Sequence, residues 1–137
     1  MKKTIRAIIL ALACVLALSC TKEDLLGVAI QGRWQLIKVE ETIEGVKMEP
    51  EYFSAGSRTF WEFNPDHIFI RETENSLGFI SVQGSWLMDG ENVVVTTPDD
   101  GTIPYYVEKA RLNDMILRDT YDDKLGQHHV AYLTFKK

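Results

Sequence analysis

From Gly32 onward the apolar residues show no 3.6-residue repeat. They fall into short runs rich in β-branched and aromatic side chains, about 8–14 residues apart and bounded by turn chemistry. The runs are Arg33–Thr42, Arg58–Phe63, His67–Thr73, Gly78–Met88, Asn92–Thr97, Thr102–Lys109, Met115–Thr120 and His128–Phe135, the last alternating cleanly. Asn64-Pro65-Asp66 cannot continue a central strand, because proline has no N–H to donate. Asp89-Gly90 is a hairpin signal, both residues tolerating φ > 0. Glu74-Asn75-Ser76, Pro98-Asp99-Asp100-Gly101, Arg111–Asp114 and Tyr121–Gln127 separate the other runs. The class is all-β, with eight strands.

Short connections place successive strands side by side and antiparallel, which makes the sheet a meander. An open meander of eight strands would expose two unpaired edges, and closure removes both. Residues 32–137 are therefore expected to form an eight-stranded antiparallel up-and-down barrel. A two-sheet sandwich is the competing architecture, but it more often needs long crossovers, and the one long connection here is Val46–Ser57. Eight strands enclose a space just able to hold side chains or one small ligand.

The N-terminus follows another pattern. Lys2, Lys3 and Arg6 precede an apolar run from Ala7 to Leu18, which ends at Ser19-Cys20. About twelve apolar residues are too few to span a bilayer, and a basic start, short apolar run and small residue describe a cleaved export signal, residues 1–19. Ala17-Leu18-Ser19-Cys20 resembles a bacterial lipobox, which makes Cys20 the expected site of lipidation. Cys14 forms a rival box that leaves too short an apolar run. A lipobox cysteine carries several acyl chains, enough for stable membrane attachment. The chain has two cysteines, Cys14 and Cys20, so nothing after the attachment point can form a disulfide. Residues 20–31 are expected to be a lipidated tether with one short helical turn, capped by Asp24 and kept short by Gly27. Thr21-Lys22-Glu23-Asp24 resembles the lysine-plus-acids signal of surface-exposed Bacteroidetes lipoproteins, which implies an outer-membrane address, at the cell surface or on the periplasmic face.

Charge narrows the partners. Removing residues 1–19 takes away Lys2, Lys3 and Arg6 and no acid, so the formal net charge goes from −5 for the whole chain to −8 for residues 20–137. An acidic domain without a basic run is a poor nucleic-acid binder, since that binding rests on neutralising phosphates.

Gly32-Arg33-Trp34 opens the first strand, Phe60 and Phe63 precede Asn64-Pro65-Asp66, Gly84-Ser85-Trp86 leads to Asp89-Gly90, and Leu133-Thr134-Phe135-Lys136 closes the chain. This pattern, spread over nearly all of residues 32–137, resembles the lipocalin-like (calycin) barrels, and more closely the small lipocalin-like lipoproteins of Bacteroidetes. The resemblance implies that Gly32 and Trp34 close the base of the barrel, with a late arginine, Arg118 or Arg111, packed across the indole. The chain is shorter than full-length lipocalins and lacks their C-terminal helix, disulfide and second and third motifs.

Trp34 and Trp86 read as core that plugs one end, an indole burying some 200 Å². Trp61 shares its strand face with Thr59 and Phe63, while Phe60 takes the other, so either face can line a cavity. Tyr52 and Phe53 are the apolar members of Val46–Ser57, a candidate lid, and Tyr105 and Tyr106 approach from the sixth strand. These five, Tyr52, Phe53, Trp61, Tyr105 and Tyr106, are the candidate ligand contacts.

No metal or other cofactor is expected. His128 and His129 are adjacent on a strand and point to opposite faces, so they do not share an ion; neither they nor His67 with Asp119, Asp122 or Asp123 form a spaced ligand set. Tyr121-Asp122-Asp123-Lys124 lacks the alternating ligands and glycine of a calcium loop. Residues 20–137 hold no Gly-x-Ser-x-Gly and no cysteine besides Cys20, and enzymatic activity is not expected. Two readings of function remain. The first is a membrane-anchored carrier of a small apolar or amphipathic ligand; the second is a filled barrel whose loops meet a protein or glycan.

Overall fold

In the computed structural model, which describes residues 21–137, ten strands form one antiparallel sheet. They are β1 (Gly32–Ile43), β2 (Val46–Lys47), β3 (Glu51–Tyr52), β4 (Thr59–Phe63), β5 (Ile68–Asn75), β6 (Gly78–Asp89), β7 (Asn92–Thr97), β8 (Gly101–Ala110), β9 (Asp114–Asp122) and β10 (His128–Lys136). Eight of them, β1 and β4–β10, follow one another as hydrogen-bonded neighbours, and β10 returns to pair with β1 from Gln35↔Lys136 to Ile43↔His129. The sheet thus closes as the up-and-down barrel predicted from the runs, and closure leaves the meander without its two end edges.

The long connection does not form a lid. β4 covers β1 only from Gly32 to Leu36, because it is five residues long against twelve. The rest of that edge is covered by β2 and β3, through Thr42↔Lys47, Ile43↔Val46, Lys38↔Tyr52 and Val39↔Glu51. Unpaired ladder groups on β1 draw the segment sideways into the wall. Glu74 fixes its far end, accepting hydrogen bonds from the Gly56 and Arg58 amides and from the Arg58 guanidinium. These donors hold the Glu74 carboxyl at about 2.

One end of the barrel is closed by α1 (Lys22–Ala29). Its N-cap is Thr21, not Asp24: the Thr21 hydroxyl accepts from the Asp24 amide while the Asp24 carboxylate accepts from the Thr21 amide. The helix also runs through Gly27, since a Cβ there would stand 3.3 Å from Met88 Cγ and the glycine lets α1 lie close on β6. Glu23 accepts from the Gly90 amide at 2.8 Å and Lys22 is paired with Glu91, which docks the first turn on the β6–β7 hairpin.

Both tryptophans expected at this floor are there. Trp34 is fully buried and its indole donates to the Ile30 carbonyl at 2.8 Å, where the helix ends. Trp86 is 3% exposed and donates to the Asn64 carbonyl at 2.9 Å, in the β4–β5 turn. Gly32 sits between helix and strand at φ +120, a conformation that side-chain-bearing residues rarely adopt. The arginine expected across Trp34 is not there. Strand alternation turns Arg118 outward between the inward Leu117 and Asp119, where it lies over the Tyr106 ring and pairs with Glu108. Arg111 is exposed in the β8–β9 turn, and the cation over Trp34 is Lys137, 4.7 Å from the ring centre.

Candidate binding site at the open end of the barrel

The barrel interior has two zones. The lower half is packed with Ile30, Trp34, Phe63, Phe69, Trp86, Val93, Met115, Leu117 and Phe135. Trp61, 5% exposed, tops this zone, its ring centre 5.4 Å from Phe69, 5.3 Å from Tyr105 and 5.1 Å from Phe135. Above that layer the same alternation that pointed apolar residues inward now points polar ones inward. After Phe69 comes Arg71; after Val95, Thr97; after Leu117, Asp119; after Leu133 and Ala131, His129, with Glu41 beside it on β1.

His129 is held between two carboxylates, Nδ1 2.6 Å from Glu41 and Nε2 2.8 Å from Asp123, under a Tyr121 ring stacked at 4.6 Å. Tyr121 also donates to Glu41 at 3.1 Å. An ionised carboxylate only accepts hydrogen bonds, so both contacts are satisfied together only when both ring nitrogens carry hydrogen. Asp123 first and Glu41 second hold His129 above its ordinary value, and His129 in turn holds Asp123 below its own. A raised histidine stabilises the fold fully below its unfolded value near 6.5, and that stabilisation is lost as pH rises through the folded value. The depressed Asp123 contributes above about 3.8 and loses its share in more acidic solution. The midpoint temperature of His129→Gln should therefore fall furthest below the native chain's near pH 5 and approach it in alkaline solution. Equal differences at pH 5 and pH 9 in calorimetric melts would contradict this ion-pair reading.

Across the mouth, Arg71 reaches the β7–β8 turn, with Nη1 2.8 Å from Asp100 and its other terminal nitrogen on Asp99. Between the two clusters the wall opens. β8 pairs with β9 no further than Tyr106↔Arg118, while β8 starts at Gly101 and β9 runs on to Asp122. The slit is a groove of about 350 Å³ lined by Thr102, Ile103, Pro104, Asp119, Thr120 and Tyr121. Had the pairing continued in register, Tyr105 would face Asp119. Asp119 is half-buried and makes no ion pair or hydrogen bond among the described residues. Its carboxyl is held above the ordinary value by burial and then by the Glu41 charge.

The five candidate ligand contacts are not brought together. Tyr52 is 70% exposed on the outer wall, whereas Phe53 packs on the core. Trp61 and Tyr105 are buried at the boundary of the two zones, where they form the floor of the upper one. Tyr106 alternates with Tyr105 and so faces outward, donating to Glu91 at 2.8 Å. His128, on the outer face, meets Asp122 at 2.8 Å. Glu41 and Arg71 were missed as site residues. Arg71 follows Phe69 in the inward phase and is readable from that parity, but Glu41 is hidden by a register shift in β1 between Leu36 and Lys38.

No family model matches the chain, and no curated protein sequence matches it. Among solved structures it is similar to apocrustacyanin C2 (TM-score 0.52, 14% identity), lobster apocrustacyanin A1 (0.52, 14%) and apocrustacyanin C1 (0.52, 15%). Each match covers 80% of this chain and 61% of the crustacyanin chain, so this barrel spans less than two thirds of those proteins' length. At such identities the likeness is one of fold, and the fold is lipocalin-like.

Proposed function

We propose that the chain is a lipid-anchored, non-catalytic binding protein that holds a small amphipathic molecule in the upper zone of its barrel. The observation that carries this is the division of the interior. Aromatic packing stops at Trp61 and Tyr105, and above it polar side chains surround a groove that opens through the wall between β8 and β9. A volume near 350 Å³ is at the lower end of the range for small-molecule sites, which suits a short ligand rather than a long lipid. Ile103 and Pro104 offer apolar contact while Thr102, Asp119 and Thr120 are polar, the usual division of labour in such sites. The lipocalin-like fold agrees with a carrier, though fold by itself does not assign function.

Anchoring rests on the lipobox resemblance at Cys20, which lies outside the described residues, as does the export signal, 1–19. The Bacteroidetes-like signal at Lys22-Glu23-Asp24 supports an outer-membrane location at the cell surface. The chain carrying Cys20→Ala should leave the membrane fraction. Native mass spectrometry of that protein should then show one bound molecule per chain after incubation with octylamine, N-octylacetamide or octanoate. Tyr52→Ser should leave uptake unchanged, because Tyr52 stands on the outer wall. Uptake of none of the three compounds would overturn the carrier reading.

That outcome would favour the second reading, an interaction module. Its supporting observation is the β5–β6 hairpin tip, where Leu77, Phe79 and Ile80 are 96%, 47% and 59% exposed, with Arg58 near the Phe79 ring. A protein or glycan is the partner class that such a tip would meet.

A further inference from the structure

The carboxylates around the mouth are nearly all accounted for. Glu41 and Asp123 hold His129, Asp99 and Asp100 hold Arg71, Asp122 meets His128, and Glu44 accepts from the His128 amide at 2.6 Å. Asp119 is the exception on the inner wall, half-buried and without a partner among the described residues. A half-withdrawn carboxylate with no counter-charge is an unfavourable arrangement, and a cation placed beside it removes the penalty.

A second, independent observation comes from β8, where Tyr105 follows Pro104, a residue that lines the slit. Tyr105 is only 6% exposed, yet its hydroxyl has no hydrogen-bond partner among the described residues. No fully enclosed side-chain nitrogen or oxygen in the described residues lacks a partner, so the Tyr105 oxygen is not fully enclosed. It lies within electrostatic reach of Asp119 and Asp100, and burial holds the phenol in its neutral, donor-and-acceptor form. The floor beneath it is the Trp61 ring, 5.3 Å away.

We propose that the slit between β8 and β9 selects a small amphipathic cation, an alkyl or aryl amine, whose ammonium group pairs with Asp119 and donates to the Tyr105 hydroxyl while its apolar part lies against Ile103 and the Trp61 layer. This rests on the carrier reading and names its ligand class. A neutral analogue loses the pairing of ammonium with carboxylate. An anionic one meets Asp119 with Glu41 and Tyr121 close behind it, and the mouth cation on β5, Arg71, is already held by two aspartates. His129 is likewise held by two carboxylates and offers an anion little.

The test uses the Cys20→Ala chain, titrated calorimetrically at pH 7 with octylamine, N-octylacetamide and octanoate. Octylamine should bind roughly 10- to 100-fold more tightly than N-octylacetamide, the range expected for a charge-assisted hydrogen bond, and octanoate most weakly. Asp119→Asn should bring octylamine to within about threefold of N-octylacetamide, and a far-ultraviolet circular dichroism spectrum matching the native chain's shows that the variant is folded. Tyr105→Phe should narrow the gap by a smaller factor. Equal binding of octylamine and N-octylacetamide to the native site would sink the cation proposal and leave the carrier reading standing, as would a preference that survives Asp119→Asn. Binding of none of the three would remove both.

Discussion

Trp34→Ala should destabilise the domain by about 3–5 kcal/mol, as other aromatic truncations do in well-packed cores. The indole is fully buried at the point where helix, first strand and barrel floor meet. It faces Trp61 across the β1–β4 ladder, lies under Lys137, and ties the last turn of α1 to the barrel through Ile30. Truncation therefore leaves a cavity, strips the Ile30 carbonyl of its donor and loosens α1 at once. Trp34→Phe separates these effects, since it keeps most of the packing and loses only the hydrogen bond, for a smaller loss of about 1–3 kcal/mol. Urea denaturation followed by far-ultraviolet circular dichroism measures both, and a loss under about 1 kcal/mol for the alanine variant would show that the floor does not depend on this residue.

The second large effect is expected from the smallest change. Gly84→Ala should destabilise by about 3 kcal/mol or more, above the usual range for overpacking, because the obstacle is backbone rather than a movable side chain. A Cβ on Gly84 would stand 2.0 Å from the Thr96 carbonyl oxygen and 3.0 Å from its carbon. The glycine lies where β6 parts from β7: pairing with β7 begins at Ser85↔Thr96, and Gly78–Gly84 pair with β5 alone. An added methyl must push the two strands apart at that fork, and Trp86, two residues on, would move with them. A stability change within about 0.5 kcal/mol of the native chain would mean that the fork is slack.

The barrel was legible in the chain because its strands are punctuated by turns with a mechanism, and each of the eight predicted runs overlaps its strand. The floor was legible because Gly32-x-Trp34 and Gly84-x-Trp86 precede inward positions. Other features depended on information that local pattern does not carry. The helix passes Gly27 because docking on Met88 and on the β6–β7 hairpin outweighs glycine's poor helical propensity. Val46–Ser57 reads as an ordinary long loop until the shortness of β4 leaves part of β1 unpaired. The site was half legible. Parity separates Tyr105 from Tyr106 and turns Arg118 outward, and the same parity places Asp119 inward from Leu117. A register shift in β1 reverses the phase after Leu36, so alternation counted from Trp34 puts Glu41 on the wrong face. The slit had no local signal at all, since it is the point where two strands with ordinary sequences stop pairing.

The stacked arrangement of aromatic floor and polar mouth makes the protein its own optical reporter. The chain has three tryptophans, and all of them, Trp34, Trp61 and Trp86, are buried. Their indoles are shielded from water, so emission from the folded chain is blue-shifted relative to the unfolded one. Only one of the three borders the upper zone. Trp61 touches Tyr105, whereas Trp34 and Trp86 are fastened to the floor by their hydrogen bonds to Ile30 and Asn64. A molecule settling on the Tyr105 layer changes the surroundings of a single fluorophore against a background of two that unfold but do not sense it. Occupancy and global stability are thus encoded in separable parts of one spectrum.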